Sequence, residues 1–380
     1  MKAITFSAVL IVLLALMGCS SQTPISHGSP VGPFILTVGQ TSDTVFNFKG
    51  DSAGVISPVS SSPTGHSPSA LLIQAPESFQ LNVFVADAGS NNLTVLNLDP
   101  MSGMLSGTGI SASVGANPVA ITFFRGPPNP PVQFGFIYVL NQGSNSISAF
   151  QILDKVGHIS ELPGSPFPTQ TNPQAFALAS TGSNPNSLTE FLYVANGAHG
   201  TLSAFRVNND GSLTEVSGSP FAVGANISWV TAQSFGGPLL YASDAANNNV
   251  IGFTVQTTGA LTPVGGSPFV VGAQPGFMRI GINNFLYVAN RGGNNISGFK
   301  MDPGTGTLTP IPGSPFATGS NPSSLAMGRG QLYVANQGSN SISAFTVDFN
   351  TGNLTPVFGS PFAVSTSPAW IEDLFIMNVD

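Results

Sequence analysis

A block of 46 to 55 residues recurs seven times along this 380-residue chain, and that recurrence limits what it can fold into. The clearest copies read QLYVANQGSNSISAFTVDFNTGNLTPVFGSPFAV (331–364), FLYVANRGGNNISGFKMDPGTGTLTPIPGSPFAT (285–318) and FLYVANGAHGTLSAFRVNNDGSLTEVSGSPFAV (191–223). A unit of this length cannot bury an apolar face alone and must stack on its neighbours. Three columns set the register. Leu36, Phe84, Tyr138, Tyr193, Tyr241, Tyr287 and Tyr333 are 48, 54, 55, 48, 46 and 46 residues apart. Three positions later stand Gly39, Asp87, Asn141, Asn196, Asp244, Asn290 and Asn336. The next run ends at Phe48, Leu96, Phe150, Phe205, Phe253, Phe299 and Phe345.

Within a unit the pattern is four short strands. Runs such as Leu332-Tyr333-Val334-Ala335 are β-rich and bounded by Asn, Gly and Ser, and ISAFTV alternates with period 2. Gly211 after Asn-Asp, and the Thr-Gly pairs before each LTPV run, fit hairpin turns needing positive φ. The GSPF tetrad recurs at 164–167, 218–221, 266–269, 313–316 and 359–362. Its proline cannot donate to a ladder, so the tetrad is expected on the outermost strand. The remaining strand follows it, as at Pro322–Met327 and Pro173–Leu178. The expected fold is all-β: one seven-bladed β-propeller over 34–380, with four antiparallel strands per blade. The first unit starts at its second strand, Phe34–Gly39, and the chain ends with Ser367–Phe375, which aligns with the missing innermost strand. The C-terminal strand is therefore expected to complete the N-terminal blade.

The 44 glycines and 31 prolines follow the repeat and do not form low-complexity tracts. Only 7% of residues are charged and the net charge is −7, one unit lower without Lys2, with no basic stripe. Nucleic acid is excluded as a partner on that ground. At the N-terminus, Lys2 precedes an apolar run from Ala3 to Met17, then Gly18-Cys19-Ser20-Ser21. This resembles the bacterial lipoprotein signal, which implies a leader over 1–18 cut before a lipidated Cys19, and a Ser/Pro/Gly-rich tether over 19–33. The alternative is an ordinary secretory leader cut elsewhere. Cys19 is the sole cysteine, so no intramolecular disulfide forms. The expected location is extracytoplasmic, on the bacterial cell envelope, with a monomer held to the membrane through Cys19.

The repeated LYVAN…NxISxFxVD…TGxLTPVxGSPF…GxxP is similar to the YVTN-type repeats of lactonase-like seven-bladed propellers, a superfamily that includes the bacterial propeller type of 6-phosphogluconolactonase. The resemblance covers 34–380 and implies the architecture more than any reaction.

A lactone hydrolase needs a general base and an electrophile facing one cavity. Loops from the outermost strand to the next innermost strand share a face with the turns between second and third strands, and propellers bind ligands there. Its polar candidates are His66, Asp87, His199, Asp244 and Arg291. On the inner strands, Arg279 and Glu372 stand at equivalent places, four residues after Pro275 and Pro368. They would either pair across the axis or contact a ligand. Asp87 and Asp244 replace the Asn of other blades and read as turn residues. His199 reads as an exposed loop residue, and His66 is the best lone base although no partner is evident. His27 falls in the tether, and His158 on the opposite face. Nothing has the spacing of a metal site, P-loop or nucleophile elbow, and no cofactor is implied. The leading expectation is a lipid-anchored propeller that binds a protein or glycan through its loop-rich face. The alternatives are a lactone hydrolase of the 6-phosphogluconolactonase kind and a structural envelope protein. Export and a shortage of cations on that face argue against a phosphorylated substrate.

Overall fold

The computed structural model describes residues 34–74, 81–126, 134–182, 189–233, 238–328, 330–364 and 367–374. The expected leader and tether, with Cys19, lie outside the described residues. Seven antiparallel sheets follow one another along the chain. Blade 2 runs outward through Pro68–Gln74, Leu81–Asp87, Asn92–Leu98 and Leu105–Ser113. Blade 7 runs through Pro322–Gly328, Gln331–Asn336, Ser341–Val347 and an outer strand in two pieces, Leu354–Pro356 and Phe362–Ala363. Blade 1 is closed as expected. Pro368–Leu374 lies antiparallel to Phe34–Gly39, with Trp370 opposite Val38 and Glu372 opposite Leu36. The Thr37 hydroxyl donates to the Trp370 carbonyl at 2.6 Å.

The second strands are buried along nearly their whole length, completely so in Phe136–Asn141, Phe285–Asn290 and Gln331–Asn336, with only Thr189 and Glu190 of Thr189–Asn196 partly exposed. Each has a strand on either edge and a blade stacked on either face, so both side-chain faces need apolar residues. That is why LYVA reads as a continuous apolar run without alternation. The core lies between blades. Ile35 and Ile371 of blade 1 cluster with Tyr333, Ile342 and Val357 of blade 7. Tyr138 of blade 3 likewise joins Leu192 and Phe205 of blade 4.

The repeated tyrosine also ties blades together. Tyr138, Tyr193, Tyr241 and Tyr287 donate their hydroxyls to the carbonyls of Gly211, Gly259, Gly306 and Gly352, each in the outer hairpin of the next blade, at 2.6 to 2.7 Å. Burial pushes the pKa of all four phenols up, so the hydroxyl stays a donor. Blades 1 and 2 have Leu36 and Phe84 in that column and use an asparagine instead. Asn47 Nδ2 donates to the Gly103 carbonyl at 2.7 Å, and Asn82 Nδ2 to the Lys155 carbonyl at 3.3 Å. The hairpin glycine has a positive φ and no room for a side chain. A Cβ on Gly103 would fall into the Phe34 ring, and one on Gly211 into Phe136.

The GSPF tetrad departs from expectation. It does not run as the outermost strand but interrupts it, in a turn between a three-residue and a two-residue piece in blades 3 to 7. All five Ser-Pro bonds are cis. The serine explains how the break is tolerated. Its Oγ accepts the third-strand amide that the ladder leaves open: Ala149 to Ser165, Ala204 to Ser219, Gly252 to Ser267, Gly298 to Ser314 and Ala344 to Ser360, at 2.9 to 3.0 Å. A buried strand amide thus keeps an acceptor where the backbone turns away.

Candidate functional site

The turns between second and third strands meet the loops leading to the next inner strand on one face, here the upper face. Two columns of side chains organise it. Asn141, Asn196, Asn290 and Asn336 end the second strands and donate Nδ2 to Ser148, Ser203, Ser297 and Ser343 on the third, at 2.8 to 3.0 Å. Four residues further on, Asp43, Asn91, Asn145, Asn248 and Asn294 sit at positive φ, where a short polar side chain is tolerated. Each side-chain oxygen accepts the amide of Ser67, Asn117, Asn172, Gln274 or Asn321, at the start of the next blade, at 2.8 to 2.9 Å. This second column recurs in the sequence as plainly as the tyrosines, yet it reads there as ordinary turn chemistry. Its blade-to-blade role needs the stacked ring to become visible.

Against that background the candidates separate. Asp87 is fully buried, with Thr64 Oγ1 donating to one oxygen at 2.9 Å and Thr94 Oγ1 to the other at 2.6 Å. Desolvation outweighs those bonds and pushes its pKa up. Asp244 is equally buried by accessible surface and accepts the amides of Ala225, Asn226 and Ala246 and the Asn247 side chain at 2.7 to 3.2 Å. Burial raises its pKa, but the amides outweigh burial and the net shift is downward. Asp244 thus bonds its own turn, as expected, and also pins the loop into blade 5.

His66 has a partner that sequence reasoning missed. Its Nδ1 lies 3.1 and 3.0 Å from the two oxygens of Asp43, 23 residues upstream in blade 1, and the ring is 70% exposed. The His66 bond, then the Ser67 amide, holds the Asp43 carboxyl below its usual pKa. A carboxylate on Nδ1 orients the imidazole and leaves Nε2 as the acceptor in the neutral ring. The same loop carries Thr64, which bonds Asp87, so Asp43, His66 and Asp87 gather where blades 1 and 2 meet. His199 bonds Thr171 through Nε2, and His158 bonds Asp154 at 2.7 Å on the lower face.

Near the axis, Arg279 donates Nη1 and Nη2 to one Glu372 oxygen, both at 3.1 Å, so the two equivalent positions pair across the intervening blade 7. Two residues before them in each strand stand Phe277 and Trp370, which with Trp229 form an aromatic cluster. Trp229 is 4.2 Å from Phe277 and 5.6 Å from Trp370 between ring centroids, and Phe277 meets Trp370 edge-on at 5.4 Å. Blades 2, 3, 4 and 7 carry Ala70, Ala120, Ala175 and Ser324 at this place. The Arg291 side chain crowds over Gly276 at the upper end of blade 6. Desolvation lowers its pKa even though the residue keeps contact with solvent, and a guanidinium stays charged regardless. A cavity of about 260 Å³ lies elsewhere, between blades 4 and 5, beside Arg206, Glu215, Thr189 and Thr258. Among the described residues no three His, Cys, Asp or Glu side chains converge as metal ligands.

The candidate residues thus fall into three groups. One is the Asp43–His66 pair beside Asp87, one is the Arg279–Glu372 pair under an aromatic cluster, and one is Asp244, engaged by four donors. Residues 230–312 and 278–372, in blades 5 to 7 and the closing strand, match the family model described as Lactonase, 7-bladed beta-propeller. No curated protein matches the chain by sequence. Solved structures do. A candidate 6-phosphogluconolactonase from Bacteroides fragilis is 18% identical, with 92% of this chain and 100% of that one covered and a TM-score of 0.72. The periplasmic gluconolactonase of Pseudomonas aeruginosa is 18% identical over 91% and 99%, with a TM-score of 0.71. A functionally unknown protein from Desulfotomaculum acetoxidans is 14% identical over 89% and 98%, with a TM-score of 0.68. At such identities the likeness to these structures establishes the fold, not the reaction. Seven four-stranded blades and a C-terminal strand closing the first make this chain a seven-bladed β-propeller, and its last three blades are similar to the lactonase propeller family.

Proposed function

We propose that the protein is a lipid-anchored, extracytoplasmic propeller that binds a protein or glycan ligand through its upper face. The observation that carries this reading is how the upper-face polar groups are used. Asp244 accepts four hydrogen bonds, Asp87 is enclosed by two threonine hydroxyls, and the Asp/Asn column ties blades 1, 2, 3, 5 and 6 to the next. Groups so engaged hold shape and do not transfer protons. The anchor is Cys19, whose sequence context is that of a lipidated cysteine.

A second reading is favoured by one observation, the Asp43–His66 pair. In it the propeller hydrolyses an unphosphorylated lactone, with His66 Nε2 taking a proton from water and Asp43 stabilising the imidazolium. The names of the Bacteroides fragilis and Pseudomonas aeruginosa neighbours point the same way. The two readings separate in one assay: hydrolysis of a panel of unphosphorylated aldonolactones, followed by pH-stat. The binding reading expects no acceleration over buffer. Turnover that His66→Ala abolishes while the melting curve stays unchanged would replace it with the enzyme. The anchor is checked alongside, since Cys19→Ser should move the protein from the membrane fraction to the soluble one.

A further inference from the structure

The lower-face hairpins carry most of the exposed large apolar side chains, with Val270 and Phe358 exposed on outer strands and turns elsewhere. Among the described residues seven large hydrophobic side chains are exposed, and five of them lie in hairpins between third and outer strands: Met101, Met104, Leu153, Val156 and Phe349. Their exposures run from 41 to 54%. The hairpins belong to blades 2, 3 and 7, which with blade 1 form one continuous arc of the ring. Single exposed hydrophobics are ordinary, whereas five on one arc of one face mark a contact surface.

The hairpin tips are held in shape. In blades 2 and 3 an aspartate accepts the amide two residues on, Met101 to Asp99 at 2.8 Å and Val156 to Asp154 at 3.0 Å. Lys155 is exposed next to Asp154, so the arc has no single sign of charge that would select an acidic or basic partner. The chain also joins the propeller at this place. Phe34, the first residue of the first strand, packs under Gly103 in the hairpin that bears Met101 and Met104.

We propose that this arc of the lower face rests on the lipid surface, with Met101, Met104, Leu153, Val156 and Phe349 dipping into the headgroup layer. The proposal rests on the anchor at Cys19. Fourteen residues lie between Cys19 and Phe34, fifteen steps of chain, and a chain extends at most about 3.3–3.6 Å per residue. The lower face is thereby kept within ~50 Å of the lipid, where contacts too weak for free binding become effective. Methionine and leucine at the hairpin tips enter the apolar edge of the headgroup region, while Lys155 between Leu153 and Val156 reaches back to phosphate. The upper face then points away from the membrane, toward its ligand.

The test is hydrogen exchange on the full-length lipidated protein reconstituted into phosphatidylethanolamine–phosphatidylglycerol vesicles, compared with the same protein released by proteolysis in the tether. Amides of hairpins 99–104, 153–158 and 348–353 should exchange several-fold more slowly on vesicles, and those of the upper turns 88–91 and 142–145 should not change. Met101→Asp combined with Leu153→Asp should abolish the protection while the protein still floats with the vesicles. Equal exchange on and off the vesicles, or protection of the upper turns, overturns the docking and leaves the anchor standing. Failure of the parent protein to float at all overturns the anchor and the docking together.

Discussion

Asp87 and Asp244 occupy the same place in blades 2 and 5, yet their carboxyls shift in opposite directions. Asp87 faces two hydroxyls in a buried setting, and desolvation pushes its pKa up. Asp244 is buried too, but backbone amides over-compensate and its pKa falls. The consequences for stability have opposite signs. A depressed folded pKa stabilises above the unfolded value, near 3.8, and that gain disappears as pH falls through the folded pKa. A raised one costs stability as pH rises from 3.8 through the folded value. Asp244→Asn should therefore lose about 1.5–3 kcal/mol at neutral pH, the usual worth of hydrogen bonds to a charged group, with the deficit shrinking below pH 3.8. Asp87→Asn should be neutral or stabilising, because Thr94 stands where Ser148 receives the Asn141 amide in blade 3. Urea unfolding across pH checks both, and equal losses in the two variants would contradict this assignment. The turn role of Asp244 was legible from the Asn in four other blades. The partner of His66 was not, since Asp43 lies in a different blade and meets it only after stacking.

At the scale of the element, strand positions and hairpin glycines were readable because local patterning dictates them: a continuous apolar second strand, a glycine where φ must be positive. The third strand alternates in sequence, yet it is buried at nearly every position in Ser146–Ile152 and Ser341–Val347, because blades stack on both its faces. The equivalence of Arg279 and Glu372 was readable for a similar reason, both standing four residues after a proline that opens an inner strand, while their pairing was one of two alternatives the pattern left open. The broken outer strand was not readable. Proline pointed correctly to the edge, but that the edge is interrupted, and that the preceding serine repairs the ladder, depends on a side chain replacing a backbone acceptor. Ser219→Ala tests this repair. It leaves the Ala204 amide without its acceptor and should cost about 1–3 kcal/mol in urea unfolding, the penalty for an unsatisfied buried donor. A loss near zero would mean that the turn can supply another acceptor, and the explanation for the recurring serine would fail.

For the whole molecule, stability is shared around a ring. Cores lie between blades, and tyrosine or asparagine straps run from blades 1 to 6 to the outer hairpin of the next blade, so each of these blades leans on its neighbour. The last strand matters most, because it joins blade 1 to blade 7 through Ile371 and shields Ile35 and Val38. Each such side chain is worth roughly 1.5–3 kcal/mol when buried, against a total of about 5–15 kcal/mol for a typical domain. The most direct check is calorimetry on a chain ending at Ser365, compared with the full-length protein. Loss of the cooperative transition, or a large fall in melting temperature, is the outcome a closed ring requires. A transition coincident with that of the intact protein would show that the blades hold together without the final strand.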